Sequence, residues 1–133
     1  EIGTHPAANH TAIAEALAFN EAIGIDRKAE RFRYLHKRWI NRVKKYDNVK
    51  FLIDIDDESN WAGIVNFNIT GVDISKLAEY LLSKHRIFVV VIIFEEFKGL
   101  RITPNVYTMI SEMDLFADVI ESVARGEIKE VME

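Results

Sequence analysis

The run Gly63-Ile64-Val65-Asn66-Phe67-Asn68-Ile69-Thr70-Gly71-Val72-Asp73 decides how this chain folds. Val65, Phe67 and Ile69 alternate with Ile64, Asn66 and Asn68, the period-two pattern of a strand with one buried face, expected over Ala62 to Ile69. Gly71 and Asp73 then open a helix with Ile74, Leu77, Leu81 and Leu82 on its apolar side. A strand that is dry on one face and polar on the other calls for helices on the dry side only.

Upstream, Val49 to Ile55 reads as a strand closed by the polar stretch Asp56-Asp57-Glu58-Ser59-Asn60. Before it, Asp26 is positioned to cap a long helix from Arg27 to about Tyr46, in which Phe32, Leu35, Trp39, Val43 and Tyr46 follow helical spacing. A first helix is expected from Asn9 to Ile23, with Asn9 or Thr11 as N-cap, Ile13, Leu17, Phe19 and Ile23 apolar, and Gly24 as its stop. Glu1 to Ala8, with Gly3 and Pro6, reads as an extended entry. Downstream, Ile87 to Phe94 is a strand whose unbroken apolarity implies burial on both faces or an apolar patch on one. Glu95 to Gly99 turns the chain into a short strand, Leu100 to Thr103, ended by Pro104-Asn105. The last helix should run from Ser111 to about Arg125, with Asp114 three residues beyond its cap. The order α-α-β-β-α-β-β-α predicts an α+β fold: a small antiparallel sheet of about four strands with helices packed mainly on one face.

The chain has 133 residues, of which 49% are apolar, enough for one compact domain and too few for a second. It has no cysteine, which excludes disulfides, thiolate nucleophiles and cysteine-based zinc sites. The longest apolar run is eight residues, too short to cross a bilayer, and no signal peptide is evident, so the expected compartment is cytoplasmic with no membrane partner. The first residue is Glu1 rather than methionine, which reads as a processed, trimmed or engineered piece.

Net charge is -4, from 17 basic and 21 acidic side chains. Nine of the basic residues lie between Arg27 and Lys45, whereas Glu112 to Glu133 holds seven acids against Arg125 and Lys129. A basic helix can bind nucleic acid by releasing counterions. Here the interleaved apolar positions favour the solvated back of an amphipathic helix lying near the acidic one, so nucleic acid is not an expected partner.

Asp54, Asp56, Asp57 and Glu58 bunch four carboxylates, yet the glycine and the distant glutamate of a calcium-binding loop are missing. They read as a solvated loop. His5, His10, His36 and His85 show no metal-ligand spacing, and no metal is expected. No nucleophile elbow, phosphate-binding loop or dinucleotide fingerprint occurs, and the Asn9-His10-Thr11 and Asn68-Ile69-Thr70 matches to a glycosylation signal carry no weight without a secretory route. No catalytic set is visible in composition and spacing.

Two segments are more specific. Gly3-Thr4-His5-Pro6-Ala7-Ala8-Asn9 with the Ala-rich helix after it, and Gly99-Leu100-Arg101-Ile102-Thr103-Pro104-Asn105-Val106-Tyr107 near the other end, resemble segments of class V, pyridoxal-phosphate-dependent aminotransferases, in the isopenicillin-epimerase and cysteine-desulfurase branch. Lys28 to Arg38, Gly63-Ile64-Val65 and Gly71-Val72-Asp73 follow in that family's order. The resemblance is to the small C-terminal domain. It implies that Arg101 holds a substrate α-carboxylate, as a guanidinium fork is shaped to do. It also implies that Gly3 and Thr4 touch cofactor phosphate, commonly that of a neighbouring subunit. The Schiff-base lysine and the partners of the cofactor ring belong to a large domain that is not in this sequence. The resemblance thus implies no catalysis and no cofactor in this chain alone, pyridoxal phosphate in an intact enzyme, and residues 1–25 as an entry segment and helix packing on the large domain beside a small α+β domain over 26–133.

Trp61 and the strand Val89-Val90-Val91-Ile92-Ile93-Phe94 depart from the family by being so apolar. They look like contact area, with Trp61, Val89, Val91, Ile93 and Phe94 as interface residues. The alternative function is therefore a non-enzymatic structural or binding module, natural or designed, that self-associates through this strand, Trp61 or the first helix.

Overall fold

The computed structural model describes Gly3 and residues 6–133. Four helices, α1 (Ala7–Ile23), α2 (Ile25–Val43), α3 (Ile74–His85) and α4 (Ile110–Ala124), accompany four strands, β1 (Val49–Phe51), β2 (Val65–Ile69), β3 (Val90–Ile93) and β4 (Lys98–Ile102). The order along the chain is α-α-β-β-α-β-β-α, and the sheet is antiparallel throughout with strand order β1-β2-β4-β3. This is the α+β architecture expected. Among the described residues no helix is long and apolar enough to cross a membrane.

The alternation in β2 sets the layering. Val65, Phe67 and Ile69 are at most 1% exposed, and with Leu100 and Ile102 of β4 they face α2, α3 and α4. Leu35, Trp39 and Val43, one helical turn apart, form the buried stripe of α2, with His36 and Ile40 beside it. Trp39 is fully buried, with its ring centroid 5.1 Å from that of Phe67, 5.4 Å from Phe116 of α4 and 5.7 Å from Phe51 of β1. Helix, sheet and helix therefore meet on one indole. Asn66, Arg101, Val90 and Ile92 lie on the opposite, helix-free face, because side chains alternate along each strand.

The basic face of α2 lies along acidic α4. Arg38 holds Asp114 with two hydrogen bonds of 2.8 and 2.6 Å. Glu121 accepts from Arg42 at 2.7 Å, Lys45 at 2.8 Å and the Tyr46 hydroxyl at 3.1 Å, and Arg42 also pairs with Asp118 at 2.6 Å. The Lys45 hydrogen bond first, and the Arg42 bond next, hold the Glu121 carboxyl down at about 2. The carboxylates of the 54–60 loop serve the loop and α2. Asp54 accepts the Asp56 N–H and Asp57 the Ser59 N–H, while Glu58 pairs with Lys37 and Asp56 with Lys44.

Several boundaries differ from the sequence expectation, each for a local reason. α1 begins at Ala7 behind Pro6, and the Thr11 hydroxyl turns back to the Ala7 and Ala8 carbonyls instead of capping. Gly24, at φ 88°, both ends α1 and starts α2, so Asp26 lies within the first turn rather than at the cap. The first strand stops at Phe51, the second begins only at Val65, and β4 spans Lys98–Ile102. α4 starts at Ile110 because Glu112 accepts the Met109 N–H at 2.7 Å; Asp114 is taken by Arg38. The expected strand Ile87–Phe94 shortens to Val90–Ile93 and sits at the sheet edge, where Phe88, Ile93 and Phe94 are 76%, 61% and 69% exposed. Two-sided burial is thereby excluded, since Val90, Val91 and Ile92 are only half-buried and Ile93 is exposed.

Two core positions generate predictions. A Cβ at Gly99 would collide with the Phe67 carbonyl oxygen and come within 2.6 Å of the Phe97 ring. Gly99→Ala is therefore expected to cost about 2 kcal/mol in urea unfolding, the scale of overpacking in a core. His36 is fully buried, its Nδ1 accepts the Trp39 indole N–H at 3.1 Å, and burial lowers its pKa from 6.5 to about 4. A depressed folded-state value means the unfolded chain takes up the proton first. Stability from the neutral ring is thus complete above pH 6.5 and falls by about 3 kcal/mol as the pH drops to about 4. Glu121 adds a second loss as the pH falls from 4.5 towards about 2. Urea midpoints measured across this range should flatten in the upper window for His36→Gln and in the lower one for Glu121→Gln.

Candidate functional site

Arg101 is in the interior of β4, flanked by β2 and β3, so its backbone is fixed on both sides. In register it lies opposite Asn66 of β2 and Val90 of β3, on the face without helices. The Arg101 Nε is shielded from solvent and has no hydrogen-bond partner among the described residues; the same holds for the Asn66 Oδ1. A buried donor left unpaired costs about 1–3 kcal/mol, and an anion meeting the guanidinium fork recovers it. The arrangement can hold a planar anion such as a carboxylate against a rigid strand. Asn66 was not singled out in the sequence, although its polar place in an alternating strand was visible there.

The other expected site residues are dispersed. Gly3 is exposed at φ 72°, with open space where a Cβ would stand. Thr4 and His5 lie outside the described residues. Trp61, expected to offer contact area, is 6% exposed; its indole N–H donates to the Ile55 carbonyl at 3.2 Å and its ring meets His36 edge-on at 5.9 Å. That ring closes the core over α2 and leaves little surface for another chain. Val89 and Val91 pack partly against the core, whereas Ile93 and Phe94 project from it. Among the described residues no three His, Cys, Asp or Glu side chains are grouped to hold a metal ion.

A cavity of about 590 Å³ opens between the end of α3, the start of β3 and the start of α4. Ile87, Phe88, Met113 and Phe116 make much of its wall, with His85, Arg86 and Glu112 as polar members. Arg101 does not line it. The carboxylate fork and the cavity are thus separate features.

The sequence model of the family "Aminotransferase class-V" matches residues 1–91. Among solved structures, cysteine desulfurase from Thermococcus onnurineus NA1 superposes with a TM-score of 0.79 at 23% identity, covering 95% of this chain and 33% of that one. Alanine–glyoxylate aminotransferase from Nostoc sp. superposes with a TM-score of 0.68 at 20% identity, covering 92% of this chain and 33% of the other. At those identities the likeness is one of fold. The chain spans about a third of the length of either structure. No curated protein matches the sequence.

Proposed function

Because the chain belongs to the class-V aminotransferases, we propose that it is the small carboxy-terminal domain of a pyridoxal-phosphate enzyme, silent by itself and supplying the arginine that holds the substrate carboxylate. The observation that carries this reading is the Nε of Arg101, shielded on the helix-free face of the sheet and unpartnered among the described residues, beside an equally unpartnered Asn66 Oδ1. Arg101 lies beyond the residues the family model matches; its support is the chemistry of its position and the resemblance of the segment around it.

Pyridoxal phosphate, when bound, supplies an electron sink for chemistry at an amino acid's α-carbon. The described residues fit the substrate end of such a site rather than the cofactor: Arg101 orients a carboxylate, and Asn66 offers an acceptor to its guanidinium or to the substrate amine. Gly3 and Thr4 would reach cofactor phosphate, and a large domain outside these residues would supply the lysine. α1 supports the need for that domain, since none of its residues is buried and Ile13, Leu17 and Phe19 are exposed. An oligomeric state and a cytoplasmic setting belong to the same reading.

Two measurements test it. Pyridoxal phosphate added to the purified chain should give no stoichiometric visible absorbance band that depends on a single lysine; such a band, abolished by one lysine substitution, would overturn the silent domain. In the enzyme that contains this chain, Arg101→Gln should raise KM for the amino-acid substrate about 10–100-fold, the scale of one charge-assisted bidentate contact. Arg101→Lys should recover only part of it. An unchanged KM in Arg101→Gln removes the arginine from the site.

A further inference from the structure

β3 leaves one side of its backbone without a partner among the described residues. The Phe94 N–H donates to the Phe97 carbonyl at 2.9 Å. With the β3–β4 register, in which Ile92 faces Gly99 and Val90 faces Arg101, that bond turns residues 90, 92 and 94 towards β4. Val89, Val91 and Ile93 therefore point their N–H and C=O groups away from the sheet. Exposed edges are ordinarily blunted by lysine, proline, a bulge or a covering element. From Ile87 to Phe94 the chain has neither a charge nor a proline.

The strand itself specifies what fits against it. Read outward from Val91, its two halves match: Val90 with Ile92, Val89 with Ile93, Phe88 with Phe94. The ends then carry opposite charge, Arg86 on one side and Glu96 on the other. We propose that β3 pairs antiparallel with β3 of a second copy of this chain, about a twofold axis through Val91, so that two four-stranded sheets become one of eight. In that register Val91 meets the partner's Val91 and Val89 meets the partner's Ile93, which uses every outward residue and makes about six hydrogen bonds. On the open face Val90 lies beside the partner's Ile92, a pair of the kind that stabilises sheets. Arg86 falls at the partner's Glu95-Glu96 turn, opposite Glu96. Slipping by two residues forfeits one hydrogen-bonded pair and separates the charges, so the register is specified. A self-complementary twofold contact closes at the dimer.

This pairing involves neither Arg101 nor a cofactor, so it stands or falls apart from the enzymatic reading. Sedimentation equilibrium on the chain from micromolar to near-millimolar concentration should show a monomer–dimer equilibrium. Ile93→Lys, at an exposed position, should leave a monomer with an unchanged circular dichroism spectrum. Arg86→Glu alone and Glu96→Arg alone should each weaken dimerisation by about tenfold, because each sets like charges opposite one another twice. An equimolar mixture of the two variants should recover it as a heterodimer. A monomer at every concentration, a dimer that survives Ile93→Lys, or a mixture no tighter than either variant alone would each overturn the proposal.

Discussion

The indole of Trp39 is the point on which this domain is built. It touches the rings of Phe51 and Phe67 from the sheet and Phe116 from α4, and its N–H is satisfied inside the core by His36. A buried indole with no acceptor would carry the desolvation cost of an orphaned donor, so the histidine has to remain neutral and in place. His36 is held in turn by the edge of Trp61, whose own N–H reaches the Ile55 carbonyl. This chain of aromatic contacts ties the loop between β1 and β2 to the helix layer, and it gives the Nδ1 of a fully buried polar ring its hydrogen-bond partner.

Once α2 is fixed by Trp39, the charge pattern resolves itself. Lys37, Arg38, Arg42, Lys44 and Lys45, on α2 and just beyond it, are directed at Asp114, Asp118 and Glu121 on α4 or at Asp56 and Glu58 of the 54–60 loop, while Arg31 and Arg33 donate to backbone carbonyls. The asymmetry between a basic and an acidic segment is therefore internal: each neutralises the other across a helix–helix seam. Arg101 is different in kind, being a cation on the opposite face of the sheet whose Nε no carboxylate among the described residues reaches.

What the sequence made legible is what short-range periodicity encodes. The stripe Leu35, Trp39, Val43 and the alternation Val65, Phe67, Ile69 each repeat within a few residues, and both were readable without a partner in view. Capping was less legible, because Asp26, Asp114 and Thr11 are all competent caps and only their neighbours decide which is used. The run Ile87 to Phe94 was ambiguous for a deeper reason. An apolar strand reads alike in the middle of a sheet and at its edge, and the order β1-β2-β4-β3, which puts β3 outside β4, is a non-local outcome that no local pattern states. Arg101 was found through the segment around it, whereas Asn66 required the register between β2 and β4.

α1 and α2 are joined by Gly24 alone, which accepts the Lys28 N–H as it donates its own to the Asn20 carbonyl. The 17 residues of α1 make a rod about 25 Å long with no residue buried against the rest. Such a rod on a one-residue pivot behaves as a lever. A rotation of about ten degrees at Gly24 sweeps its far end through roughly 4 Å at a rise of 1.5 Å per residue, while the Lys28–Asn20 hydrogen bond sits close to the fulcrum, where it resists little torque. Whatever grips the far end of α1 can therefore reorient that helix about Gly24 while α2 keeps the place that Leu35, Trp39 and Val43 give it in the core.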